Sequence, residues 1–272
     1  MRREAFETPG DVTLELSLAG GRIEIVTVEG TKTEVELDAR GNGDEAQRML
    51  DDARIELRGD NHVVVEVRKR GILGFLRDLD VQLSIRAPHG AHIRSETASA
   101  QLRGRGRFGS LEARSASGDV DLDEVTGDAV AKTASGDVGL VDVGGDAVVN
   151  TASGDVELGR VVGEAVVKTA SGDVTVREGG RAVNVSTASG DQRVGAVTAG
   201  AVTLQSASGD IGVGIREGSN VWVDARAMSG RTRSELELDD VPPAGDAPLV
   251  ELRATSMSGD VSVSRARVEP GR

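Results

Sequence analysis

Apolar and polar residues alternate along most of this chain with a period of two, in short runs broken by glycine. A period of two places successive side chains on opposite faces of an extended backbone, so it predicts strands rather than helices. In TASGDVELGRVVGEAVVK (151–168) the apolar positions are Val156 and Leu158, then Ala165 and Val167, with Glu157 and Val166 between them. Numbered from its Thr, the unit holds two strands nine residues apart. One is entered through Ser-Gly-Asp at positions 3–5. The other is entered through Gly-Asp or Gly-Glu, as at Gly127-Asp128, Gly145-Asp146 and Gly163-Glu164.

The unit recurs. Ser-Gly-Asp stands at Ser117-Gly118-Asp119, Ser135-Gly136-Asp137, Ser153-Gly154-Asp155, Ser171-Gly172-Asp173, Ser189-Gly190-Asp191, Ser208-Gly209-Asp210 and Ser258-Gly259-Asp260, with degenerate copies at Ser99 and Ser229. From Ser99 onward the serines are 18, 18, 18, 18, 18, 19, 21 and 29 residues apart. Neither strand of a unit folds alone. Stacked on the same strand of the next unit, about 4.8 Å away, each gains a parallel ladder and a shared core. A three-sided coil of hexapeptides needs apolar residues at positions 12 and 18. Those positions hold Thr126, Gly144 and Val162, and Lys132, Asn150 and Lys168, so that reading fails. The prediction is an all-β, single-stranded parallel β-solenoid: a flattened two-faced coil of 18 residues per turn, right-handed by the usual crossover preference. Consecutive units are expected to lie one atop another, with Val156 beside Val174.

The ends are less regular. GDVTLEL (10–16), GGRIEIVTV (20–28) and TEVELDA (33–39) repeat the alternation, and Ala46, Met49, Leu50 and Ala53 predict a short helix near 43–53. Residues 1–78 are read as an irregular N-terminal β region, with the short helix near 43–53, that caps or begins the solenoid and covers an otherwise open edge. Residues 79–272 are read as the solenoid, with a loop insertion near 234–254. Pro242, Pro243 and Pro248 cannot donate to a ladder there.

Composition narrows the function. The 272 residues carry a net charge of −13, no Cys, no Tyr, three Phe and one Trp. Disulfide scaffolds, zinc ribbons and cysteine nucleophiles are excluded. An acidic chain nearly without aromatic rings lacks both the cations and the stacking platforms of a nucleic-acid binder. No run of about 18 apolar residues offers a membrane span. Without an export signal or anchor the expected location is the cytoplasm, the alternative being the periphery of the cell envelope. No cofactor is expected.

The repeated corner is the first candidate for chemistry. Asp119, Asp137, Asp155, Asp173, Asp191 and Asp210 form a ladder of carboxylates. Asp and Ser side chains accept turn N–H groups, so these corners are read first as structural turns. The alternative is a calcium ladder, since calcium-binding β-rolls also use 18-residue coils. His89 and His92 stand three apart without a nominated third ligand, and no GxSxG elbow or Ser–His pairing is seen. Serine recurs at its corner position, and a nucleophile does not recur.

Charge is uneven. Between Arg68 and Arg114 ten basic residues face four acidic ones. That stretch nominates Arg68, Lys69, Arg70, Arg103, Arg105 and Arg107 for an anionic partner or for head-to-tail assembly. Phe75 joins them because RKRGILGFLR (68–77) brackets apolar residues with cations, a pattern suited to a partner groove or a membrane surface. Trp222 falls at an outward position between Val221 and Val223 and is the last nominee.

The TASGDV repeats, the APHG turn (87–90), the FETPGDVTLEL start (6–16) and the closing SMSGDVSV (256–263) resemble the bacterial DUF4097 family over nearly the whole chain. That resemblance implies the solenoid fold and, through the family's provisional adhesin label, surface display. The reading is a non-enzymatic interaction scaffold binding a protein or envelope partner. A self-assembling unit stacked end to end and a calcium-binding β-roll are the alternatives.

Overall fold

The computed structural model describes residues 1–41, 43–67, 80–236 and 248–266. These divide into two compact units, Met1–Asp137 and Val138–Arg272. The first unit contains β1 (Arg2–Glu7), β2 (Thr13–Leu18), β3 (Arg22–Val28), β4 (Lys32–Arg40), α1 (Gly43–Asp52), β5 (Arg54–Arg58), β6 (His62–Val67), β7 (Asp80–Pro88), β8 (Ala91–Thr97), β9 (Gln101–Ser115), β10 (Val120–Val125) and β11 (Ala129–Lys132). The second contains β12 (Val138–Val143), β13 (Ala147–Asn150), β14 (Val156–Val161), β15 (Glu164–Ser171), β16 (Val174–Gly179), β17 (Ala182–Ser189), β18 (Gln192–Val197), β19 (Gly200–Ser208), β20 (Ile211–Ile215), β21 (Asn220–Ser229), β22 (Thr232–Ser234), β23 (Leu249–Ser258) and β24 (Val261–Arg265).

Each unit is a β-solenoid built from two ladders, parallel throughout in the second unit and mostly parallel in the first. In the second unit one ladder runs β13, β15, β17, β19, β23, β21. The other runs β12, β14, β16, β18, β20, β24, β22. Val156 is in register with Val174, as the repeat predicts. Valine, leucine and alanine rows fill the space between the ladders; Val156, Leu158, Ala165 and Val167 are at most 1% exposed. In the second unit one of these apolar rows contains a polar member. Gln192 stands where its neighbours are Val174 and Ile211, and it is 1% exposed.

The order of rungs departs from the order of the sequence. The segment 249–265 pairs with β19 and β20 on one side and with β21 and β22 on the other. The last strands of the chain are thus slotted inside the stack, and the segment 220–234 lies beyond them. Strict sequential stacking is corrected here. So is the extent of the expected 234–254 loop, because Leu249–Ser258 is strand. Pro248 precedes that strand and needs no N–H in the ladder. Its carbonyl accepts the Asn220 N–H at 2.8 Å.

The first unit does the same with its own terminal segment. Its ladders run β5, β6, β2, β8, then the second half of β9 and β11, and β1, β4, β7, β3, then the first half of β9 and β10. β2 and β3, earliest but for β1, lie between β6/β7 and β8/β9. The pairings β1–β4, β4–β7 and β5–β6 are antiparallel and all others parallel. Leu14, Leu16, Ile23 and Ile25 are at most 1% exposed, which is what a strand with neighbours on both sides requires. α1 lies against β4 with Ala46 and Leu50 buried, and the Arg2 guanidinium donates to the Ala53 and Leu50 carbonyls at the end of the helix.

β9 solves a packing problem by exchange. Where the next rung has Leu122 and Val125, β9 has Gly104 and Phe108. A Cβ on Gly104 would sit 2.8 Å from the Phe108 ring. The small residue makes room for the large one, and Phe108 is fully buried.

Candidate functional site

The corner Thr-Ala-Ser-Gly-Asp decides how rungs are joined. In the first rungs Thr133 and Thr151 accept the N–H of Gly136 and Gly154 at 2.9 and 3.0 Å, and Ser115 does so for Gly118 at 2.8 Å. From Ser171 onward the strand continues into the corner, and Gly172, Gly190, Gly209 and Gly259 take φ between 135° and 149°. Glycine adopts that conformation without the strain a Cβ brings. The glycine N–H groups of 172, 190 and 209 then bond to Ser189, Ser208 and Ser258 of the adjoining rung.

The aspartates act between rungs rather than within their own turns. The Asp119 carboxylate accepts the Asp137 N–H at 3.1 Å. Asp155 does so for Asp173, Asp173 for Asp191, Asp191 for Asp210 and Asp210 for Asp260, at 2.7 to 2.9 Å. At the end of the row Asp260 accepts the N–H of Arg231 at 2.9 Å. In each of these six carboxylates one oxygen is committed to a neighbouring backbone. Among the described residues no group of three or more His, Cys, Asp or Glu is placed to hold a metal ion.

The spacing of 18 that aligns corners also aligns charges. Arg103 meets Asp121 at 3.6 Å, Arg114 meets Glu96 at 3.3 Å and Arg160 meets Asp142 at 2.6 Å, each pair one unit apart. Arg103 is flanked on its other side by Glu24, and Arg107 is in register with Glu124. Arg105 lies beside the exposed Val26. The basic stretch read from the sequence is therefore interleaved with acids from adjoining rungs, and exposed pairs of this kind contribute little stability. Partial burial of the half-exposed Asp121 carboxyl raises its pKa, with Arg103 opposing the rise. Arg68, Lys69, Arg70 and Phe75 lie outside the described residues.

The histidines are hydrogen-bond partners of the coil. His89 Nδ1 lies 2.9 Å from Thr27 Oγ1, and His92 Nδ1 lies 2.8 Å from Ser110 Oγ. The second contact corrects the expectation of no Ser–His pairing. Its two residues are 18 apart, a signal the repeat offered.

The richest exposed surface lies on β21 and β23. Trp222 is 49% exposed, with the Arg253 guanidinium 5.5 Å from the ring centroid. Leu249, on the same outward face by register, is 49% exposed. Where inner corners have an exposed alanine, these strands have Met228 and Met257, 76% and 55% exposed and side by side by register. Sequence reasoning nominated Trp222 alone. The substitution of AMSG and SMSG for TASG was the available signal.

The Toastrack DUF4097 family matches residues 13–264. The chain belongs to that family. No curated protein matches it. A solved structure from Parabacteroides distasonis ATCC 8503, provisionally named a lipid-binding protein, is 12% identical, covers 98% of this chain and 96% of its own, and superposes with a TM-score of 0.50. At that identity the likeness is one of fold. A provisionally named adhesin from Bacteroides fragilis NCTC 9343 is 12% identical over 97% of this chain and 96% of its own, with a TM-score of 0.45. A provisionally named cell adhesion protein from Clostridium sporogenes ATCC 15579 is 10% identical over 97% and 99%, with a TM-score of 0.24. Among the described residues of this Toastrack chain no helix is long and apolar enough to cross a membrane.

Proposed function

We propose that this chain works by binding, as a non-enzymatic, adhesin-like solenoid scaffold that presents a face to a protein or envelope partner. The observation that carries the reading is the position of the exposed apolar side chains. Eight large apolar residues stand exposed among the described residues, and four of them (Trp222, Met228, Leu249 and Met257) share the outward face of β21 and β23. They stand as two pairs, Trp222 near Leu249 and Met228 beside Met257, six residues apart along β21 with Asp224 and Arg226 between. Large apolar residues exposed on one face mark interaction sites, and Trp, Met and Arg are enriched in their cores. The recurring Asp and Thr groups are already engaged in bonds that join or shape the rungs, which supports binding over catalysis.

The test is capture from native soluble and envelope fractions with three immobilised chains: the wild type, Leu249→Ser/Met257→Ser, and Arg105→Glu/Arg107→Glu. The partner is expected to be lost from the Leu249→Ser/Met257→Ser chain and kept by the arginine variant. Identical capture by all three chains overturns the reading.

A further inference from the structure

We infer that β21 is a self-complementary edge and that two copies of this chain join through it, antiparallel, about a two-fold axis at Ala225. The inference concerns the strand edge; it shares Trp222 and Met228 with the partner reading above but rests on the backbone edge and on the Asp224–Arg226 pairing.

Among the described residues β21 pairs with β23 only. The Asn220 N–H donates to the Pro248 carbonyl at 2.8 Å, so the even-numbered residues of β21 direct their amides at β23. Alternation then aims the N–H and C=O groups of Val221, Val223, Ala225 and Ala227 at the edge that is free among the described residues. These four side chains point inward and are only partly covered, as the last rung of a stack must be. An edge of this kind is a template for another strand.

The sequence of β21, NVWVDARAMS, fits its own reverse. With Ala225 opposite Ala225 of the second copy, Asp224 faces Arg226 of the second copy and Arg226 faces Asp224. Trp222 faces Met228 of the second copy, which sets a thioether against an indole. Inward, Val223 faces Ala227. The odd-numbered pairs exchange backbone hydrogen bonds. The even-numbered pairs are of the non-hydrogen-bonded type, where opposed side chains approach more closely.

Register is specified as well. A shift of two residues one way puts Asp224 against Asp224, and the other way puts Arg226 against Arg226. Like charges directly opposed are unfavourable. Within one chain Arg226 already binds Asp224 at 2.9 Å, and Arg253 is in register with Asp224. The pair would therefore close a network of alternating charge. An isologous contact ends at two copies. It also sets two outward β21/β23 faces in one continuous sheet.

Sedimentation of the full chain across a concentration series tests this. The wild type is expected to go from monomer to dimer and no further. Ala225→Pro removes a donor from the free edge and none from the β23 ladder, so the dimer dissociation constant is expected to weaken at least about ten-fold, with the circular dichroism unchanged. Asp224→Arg and Arg226→Asp chains are each expected to be monomeric alone, and to form a heterodimer when mixed. A wild type that stays monomeric at about 200 μM overturns the inference, since an edge this matched should pair well below that. So does an open-ended assembly, a dimer indifferent to Ala225→Pro, or a pair of charge-reversed chains that remain monomers on mixing.

Discussion

Ser208 lies in register with Ser258, fifty residues on, and Ser229 lies on the far side of Ser258. The last described strands therefore have neighbours on both sides, and among the described residues the segment 220–234 forms the outer rung. Burial follows that order: Val250, Leu252 and Ala254 are fully buried, whereas the inward residues of β21 are only partly so. A terminal rung frays because it lacks a second neighbour, so slotting in the last strands protects them from being the first to open.

The Asp row should behave as a backbone acceptor. Asp173→Asn keeps an oxygen for the Asp191 N–H and is expected to leave the melting midpoint near that of the wild type. Asp173→Ala leaves that donor without its acceptor and should lower stability by about 0.5–1.5 kcal/mol in chemical denaturation. Calcium added to the wild type should not move the midpoint, because a ligand stabilises only what it binds.

Gly104 and Phe108 should act as a unit. Phe108→Ala is expected to destabilise by about 3–5 kcal/mol through the cavity it leaves. Gly104→Leu alone should destabilise by at least about 1–3 kcal/mol by overpacking against the ring. The double variant Gly104→Leu/Phe108→Val, which copies the Leu122 and Val125 rung, should be more stable than either single variant. Urea denaturation of the wild type, Gly104→Leu, Phe108→Val and the double variant measures that coupling.

Gln192 interrupts an apolar row. Its Nε2 donates to Thr187 Oγ1 at 2.8 Å and to the Gln205 carbonyl at 2.6 Å, while its buried Oε1 has no partner among the described residues. Gln192→Val is expected to stabilise the chain by about 1 kcal/mol, by removing an unsatisfied acceptor from the core. A lower melting midpoint would show that the two donated bonds outweigh the orphaned oxygen.

Asp121 gives a pH dependence of definite sign. Burial raises its pKa in the folded state, so the folded chain holds that proton more tightly than the unfolded one. Stability then falls as pH rises from the ordinary Asp value through the raised one. Asp121→Asn removes this dependence. Relative to the wild type it should gain stability at neutral pH, and that gain should vanish below the ordinary Asp range. Denaturation midpoints of both chains across acid to neutral pH check the sign.

The solenoid was legible because a repeat of 18 with two alternating runs permits little else, and α1 was legible from four apolar residues at helical spacing. Rung order was not. Ladder partners depend on which edges are free, and a spacing of 29 between Ser229 and Ser258 is equally compatible with a loop followed by stacking or by insertion. The charge reading failed to foresee pairing for a related reason. Counting along the chain sets Arg103 among arginines, whereas folding sets it between Glu24 and Asp121. The β21 edge combines Trp222 with residues that carry no motif, and its significance appears only once β23 is known to occupy the other side.

The absence of native cysteine allows rung order to be read by crosslinking. Neighbouring positions on adjacent parallel strands fall within the roughly 4.4–6.8 Å Cα separation that a disulfide spans, and positions two strands apart do not. Ser208→Cys/Ser258→Cys is predicted to oxidise to an intramolecular disulfide, while Ser208→Cys/Ser229→Cys remains reduced under the same conditions. The opposite pattern, with 208 linked to 229 and not to 258, would contradict the inserted rung.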